Sequence, residues 1–249
     1  MSYEFHTEDY KGCTIRIVAD DDPESPREWS NVGTMVCWHR RYTLGDEQPK
    51  CDADAYLRQL ARESTPFKHP LRGWLDLQET ADNRYCSDAA RQRIDRIVKL
   101  NLDKVLANFI ILPLYLYDHS GITISTGRFS CPWDSGQVGF IYCTMEKART
   151  EWNGTDEEIR KQAEDYLKLE VETYDNFLTG TVAGFIAEDP DGEEIDSCWG
   201  FYPDRGEYSK RWDYPISEAR AAIDHWCEKQ DRERDEAAYW AARGVMTAR

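Results

Sequence analysis

No apolar run in this sequence is long enough to cross a bilayer. The longest, Phe109 to Tyr117, is interrupted by Pro113, whereas a membrane helix needs about 20 apolar residues. It reads as a buried strand. The first twenty residues carry acids early and have no continuous apolar core, so no secretory leader is expected and a cytoplasmic, non-membrane location is. CxxC and HxxxC spacings are missing as well, which removes the usual zinc-ribbon and redox patterns. The eight cysteines are irregularly spaced, as expected of reduced and mostly buried thiols. No internal repeat or low-complexity linker interrupts the chain.

Basic residues are scarce in one region. Between Glu151 and Gly200 there are fifteen Asp and Glu against three Lys and Arg, an excess of twelve acids within a chain of net charge -16. Such a surface repels a phosphate backbone, so direct nucleic-acid binding through this half is not expected. Aromatic residues are plentiful, with nine Trp and fourteen Tyr in 249 positions. That content argues for an ordered core and against disorder.

Alternation predicts a half-buried strand over Cys13 to Val18 and a second over Asn31 to Tyr42, ended by a turn at Leu44-Gly45-Asp46. The two are expected to share a sheet. Asp52 or Asp54 caps a short helix over Ala55 to Glu63, which Pro66 and Pro70 stop. A longer helix, Ser87 to Leu106, places Ala90, Ile94, Ile97, Val98 and Val105 on one face and leads into the Phe109 strand. Thr155 and Glu158 form a capping box for an acidic helix that ends at Gly180 and buries Ile159, Ala163, Tyr166, Val171, Tyr174 and Phe177. Glu157 with Lys161 and Glu164 with Lys168 are spaced for ion pairs on its outer face. A hairpin turns at Asp189-Pro-Asp-Gly192. A last helix starts near Ser217 and buries Ala222, Ile223, Trp226 and Cys227, and its continuation from Glu228 to Glu236 lacks any apolar position.

The pattern predicts an α+β fold: a mixed or mainly antiparallel sheet flanked by about four helices, with a long acidic helix in the second half. The simplest organisation is one domain over 1–249. A subdivision near 154 would separate a sheet block, 1–154, from an acidic helix-hairpin-helix block, 155–249.

The stretch from Asp118 to Tyr142 gathers chemically active side chains. A nucleophile reading makes Cys131 the attacker, His119 its base and Asp118 or Asp134 the orienter. The competing reading is a hairpin corner and a structured loop. Ser135-Gly136 is not a nucleophile elbow, because Trp133 stands where that motif needs glycine. Asp20, Asp21, Asp22 and Glu24 offer oxygen ligands to a divalent cation, but their spacing is not that of an EF-hand and Pro23 stiffens it. An acidic, solvated loop is the preferred reading there. Cys37 and His39, with His225 and Cys227, supply the residue types of a zinc site. On a helix, however, 225 and 227 lie roughly 200° apart and cannot share one ion. No metal and no cofactor are expected. Arg27, Arg40 and Arg41 are expected to pair with the Asp20 to Glu24 acids, or else to hold an anion.

Two stretches, Pro26 to Asp46 (PREWSNVGTMVCWHRRYTLGD) and Tyr115 to Tyr142 (YLYDHSG followed by FSCPWDSGQVGFIY), resemble a group of proteins encoded by bacteriophages, prophages and plasmids. The resemblance implies a mobile-element accessory protein that acts on host machinery such as restriction or CRISPR defences inside the bacterial cell. Joined to the acidic half, it implies a non-enzymatic inhibitor whose carboxylates occupy the nucleic-acid groove of a host defence or nucleic-acid-processing protein. The expected binding residues are Glu157, Glu158, Glu164, Asp165, Glu172, Asp175, Glu188, Asp189, Asp191, Glu193 and Glu194. One alternative is a sponge for a nucleotide second messenger, with Trp38 and Trp133, helped by Trp29 and Trp199, stacking on a base. Arg40 and Arg41 would then take its phosphate and Asp134 and Gln137 would line the site. The other alternative is a hydrolase built on Cys131, His119 and Asp118.

Overall fold

A computed structural model describes residues 3–64, 87–203 and 208–243. The helix stops read at Pro66 and Pro70 lie outside these residues, as do the side chains of Val98 and Val105. Among the described residues the fold is α+β, with five helices and two four-stranded antiparallel sheets. The chain divides into two compact units. One, Met1–Ser25 with Asn176–Arg249, contains both ends of the chain and is called here the terminal unit. The other, Pro26–Asp175, is the inserted unit, and neither break falls at 154.

The terminal unit holds strands β1 (Glu4–Tyr10), β2 (Cys13–Ala19), β7 (Ala183–Glu188) and β8 (Glu194–Phe201), in the order β1-β2-β7-β8. A tight turn at Lys11 and Gly12, both with positive φ, joins β1 to β2. Cys13, Ile15 and Ile17 alternate onto one face with Phe185 and Ala187, where Ile216, Ala219 and Ile223 of helix α5 (Asp213–Ala242) close the core. Arg220 on α5 grips Glu8 of β1 through two hydrogen bonds, 2.7 and 2.9 Å. That contact holds the Glu8 carboxyl below its usual range.

The inserted unit holds β3 (Thr34–Cys37), β4 (Phe109–Asp118), β5 (Ile122–Ser125) and β6 (Ser135–Thr144), ordered β3-β6-β4-β5. Its helices are α1 (Ala53–Ser64), α2 (Asp88–Leu106), α3 (Met145–Glu151) and most of α4 (Asp156–Leu178). Asp52 caps α1 by accepting from the Ala55 amide at 2.8 Å, and Ser87 caps α2 through the Ala90 amide. The capping box opens α4: Thr155 N donates to Glu158 at 2.8 Å while Glu158 N donates to the Thr155 hydroxyl at 3.3 Å.

Five expectations need correction. Cys13–Ala19 and Thr34–Cys37 belong to different sheets, because both edges of β2 are taken by β1 and β7. The second strand is also shorter than expected: after Trp38, the His39 ring nitrogen accepts from the Arg41 and Tyr42 amides and turns the chain. On α4, Tyr166 is exposed against Trp152 and Leu167 is buried instead, since the inward phase runs 159, 163, 167, 171 and 174. Lys168 on that helix pairs with Asp165 and not Glu164. Finally, α5 starts at Asp213 and buries Pro215, Ile216, Ala219 and Ile223, leaving Ala222, Trp226 and Cys227 half-buried.

Candidate functional site

The corner between β4 and β6 in the inserted unit gathers Asp118, His119, Cys131 and Asp134. Asp118 N donates to the Asp134 carbonyl at 2.8 Å, and the Ser135 hydroxyl donates to the Cys131 carbonyl. His119 Nδ1 lies 3.3 Å from Asp134 Oδ2, and the Cys131 thiol donates to that same oxygen at 3.7 Å. The carboxylate therefore sits between thiol and imidazole. A cysteine nucleophile needs the imidazole in the middle, touching sulfur on one side and carboxylate on the other. Asp118 faces elsewhere, with the Arg41 guanidinium and the Tyr42 hydroxyl on its carboxylate. This network pins a loop whose Trp133 is 91% exposed.

The ligand-stacking group is gathered only in part: Arg41 reaches the corner through Asp118, beside Asp134 and the exposed Trp133. The Trp38 indole donates to the Cys51 carbonyl at 2.6 Å and packs against Tyr56 and Phe140. Gln137 donates to the Gly139 carbonyl at 3.3 Å, Arg40 is exposed, and Arg41 is engaged by Asp118. Trp199 belongs to the terminal unit, where its ring lies across Gly184.

Arg41, read as a partner of the Asp20 to Glu24 acids, is held by Asp118 on β4. Arg27 enters the inserted unit's interior, where it meets Asp46 at 2.6 Å and Glu170 at 3.1 Å. Glu170 also accepts from the Val32 amide at 2.7 Å and the Gly33 amide at 3.2 Å. Sequence reasoning missed this cluster, although Glu170 falls on the inward phase of α4 between Leu167 and Tyr174. Asp20 is occupied by backbone donors, the Asp22 amide at 3.1 Å and the Gly200 amide at 3.1 Å. Among the described residues no three His, Cys, Asp or Glu side chains converge on a metal position. Burial pushes the Cys37 thiol up to about 12 and the Cys143 thiol to about 11, while Cys198 is exposed.

The acids read as a binding surface separate into two groups. On α4, Glu157 and Glu172 are exposed and Glu164 is half-buried. Asp165 binds Lys168, Glu158 serves the helix cap, and Asp175 accepts from the Ile124 amide at 2.7 Å. On the β7–β8 hairpin, Glu188 pairs with Arg16, and Asp189 accepts from the Asp191 and Glu193 amides, both at 2.9 Å. Asp191, Glu193, Glu194 and Asp196 remain exposed. No Lys or Arg occurs from Ala187 to Pro203.

The two units carry very different charge. The terminal unit has twenty-three Asp and Glu against eleven Lys and Arg, a net of -12. The inserted unit has twenty-four against twenty, a net of -4. The acidity read over Glu151 to Gly200 thus divides, with the hairpin acids in the strongly acidic terminal unit and most of α4 in the inserted unit. Cross-strand register places Asp9, Glu188 and Glu194 beside Arg16 and Thr14 on the sheet face turned away from α5. No described helix is long and apolar enough to cross a membrane. No protein-family model, curated protein or solved structure matches the chain.

Proposed function

We propose that this chain is a mobile-element accessory protein that acts without catalysis in the host cytoplasm. It binds the basic groove of a host defence or nucleic-acid-processing protein through the acidic face of its terminal unit. The net charge of -12 on that unit carries the reading. Charge of one sign, concentrated on one compact body, raises the encounter rate with a basic groove and excludes nucleic acid from the same place. Asp191, Glu193, Glu194 and Asp196 supply exposed carboxylates on one hairpin without a neighbouring cation in sequence, and they stand where phosphates would. The α4 acids Glu157, Glu164, Asp165 and Glu172 are a secondary contact on the inserted unit.

The experiment is capture from host lysate on the immobilised protein, with identification by mass spectrometry and competition by duplex DNA. Nucleic-acid-binding proteins are expected, displaced by DNA and lost when Asp191, Glu193, Glu194 and Asp196 are changed to Asn or Gln. Capture that survives neutralisation, or that DNA does not displace, overturns the reading.

A further inference from the structure

The C-terminal half of α5 extends past the core of its own unit. Every residue from Glu228 to Arg243 is exposed, including Tyr239 at 48% and Trp240 at 39%. A helical segment of this length is marginal in water by itself. Its supports are all local: Arg234 to Asp231 at 2.7 Å, Arg232 to the Glu228 carbonyl at 3.2 Å, the Trp240 indole to Glu236 at 3.4 Å, Arg243 on the hydroxyl and ring of Tyr239, and the Tyr239–Trp240 ring contact.

The phase of the helix does not change where the core ends. Ile216, Ala219, Ile223, Trp226, Gln230, Glu233, Ala237 and Trp240 follow one another at alternating spacings of three and four, the seam of a two-helix coiled coil. The first three are buried on the sheet, and Trp226 is partly buried against the same core. The last four continue the seam into solvent.

We propose that this exposed half is a dimerisation helix that pairs antiparallel with the same segment of a second copy of the chain. One register satisfies the seam throughout. Trp226 lies opposite Ala237 of the partner subunit, large against small, and Gln230 lies opposite Glu233 of the partner subunit, amide against carboxylate. The two-fold axis repeats both contacts. In that register Lys229 flanks the seam opposite Glu236 of the partner subunit, giving two ion pairs between the helices. Trp240 then reaches the end of the hydrophobic core, where Tyr10, Trp226 and Cys227 are only partly covered. The opposite charges at 229 and 236 favour a second copy as occupant, and the polar Gln230–Glu233 layer fixes its register. This pairing uses none of the hairpin acids and stands independently of the acidic-face reading.

Sedimentation velocity on the full chain across a micromolar to millimolar series, at physiological salt, tests it. The weight-average mass is expected to rise from one chain to two. Lys229→Glu and Glu236→Lys each place like charges opposite one another, and each should move the midpoint at least tenfold to higher concentration. The double variant Lys229→Glu/Glu236→Lys should return the midpoint to that of the parent. Both positions are exposed, so circular dichroism of all three variants should match the parent. A mass of one chain throughout, an unmoved midpoint in either single variant, or no recovery in the double variant overturns the proposal.

Discussion

Arg27 and Glu170 meet inside the inserted unit with Nη1 3.1 Å from Oε2, each side chain only 6% exposed. The pair fastens α4 to the segment entering β3, because Glu170 simultaneously holds the Val32 and Gly33 amides. Glu170→Gln removes the charge and turns an amide donor toward other donors. The loss should be about 3 kcal/mol, the range for breaking a buried pair, measured as a lower urea midpoint with an unchanged slope. A midpoint within experimental error of the parent would show that Arg27 is satisfied without Glu170, by partners that include Asp46 and the Gly33 carbonyl.

Asp175 carries the opposite electrostatic consequence. Burial pushes its carboxyl above the ordinary range, although it accepts from the Ile124 amide on edge strand β5. A carboxyl with a raised folded-state pKa binds its proton more tightly when folded, so its contribution falls as pH rises from the unfolded value through the folded one. Asp175→Asn keeps an acceptor for Ile124 and removes that titration. Thermal unfolding should show the variant gaining on the parent as pH climbs through this window. A difference that stays constant with pH contradicts the assignment.

Gly139 of β6 lies opposite Cys37 of β3 and close to the Val36 backbone. A Cβ added there would collide with the backbone carbonyl oxygen of Val36, and a carbonyl within a ladder has no room to withdraw. Gly139→Ala should cost about 4 kcal/mol or more, among the largest single-site effects. Loss of soluble, folded protein or a collapsed melting temperature would report it. A mild effect of under about 1 kcal/mol would mean the two strands separate easily.

The parts of this fold that sequence revealed were those with a local signature. The capping box at Thr155, the turn at Asp189 to Gly192 and the apolar run feeding β4 all rest on neighbouring residues, and each stands where expected. Sheet membership was hidden, because β2 finds its partner β7 across about 170 residues and alternation alone does not name a partner. Strand β1 was overlooked for a different reason. Its His6, Glu8 and Asp9 mask the alternation, and Glu8 is used inward, toward Arg220. At the candidate site, residue types were legible but their order in space was not. Asp134 takes both partners that Cys131 and His119 were expected to offer each other. The acidity, obvious in composition, was spread over α4 and the hairpin alike because sequence cannot show that most of α4 shares its unit with nearly as many cations as acids.

The terminal unit is assembled from the two ends of the chain, with Thr14 to Ala19 of β2 paired against Ala183 to Glu188 of β7. During synthesis β2 must therefore wait, with only β1 beside it, until the whole inserted unit has left the ribosome. The inserted unit, Pro26–Asp175, is complete before β7 and α5 have been made, and so folds first. A premature stop between the end of the inserted unit at Asp175 and the start of β7 at Ala183 leaves a β1–β2 hairpin, which is marginal at best in water, together with the less acidic unit. Such a truncated product is thus not a smaller version of the protein. It is a folded body joined to a bare sheet edge, and that edge is a template for aggregation.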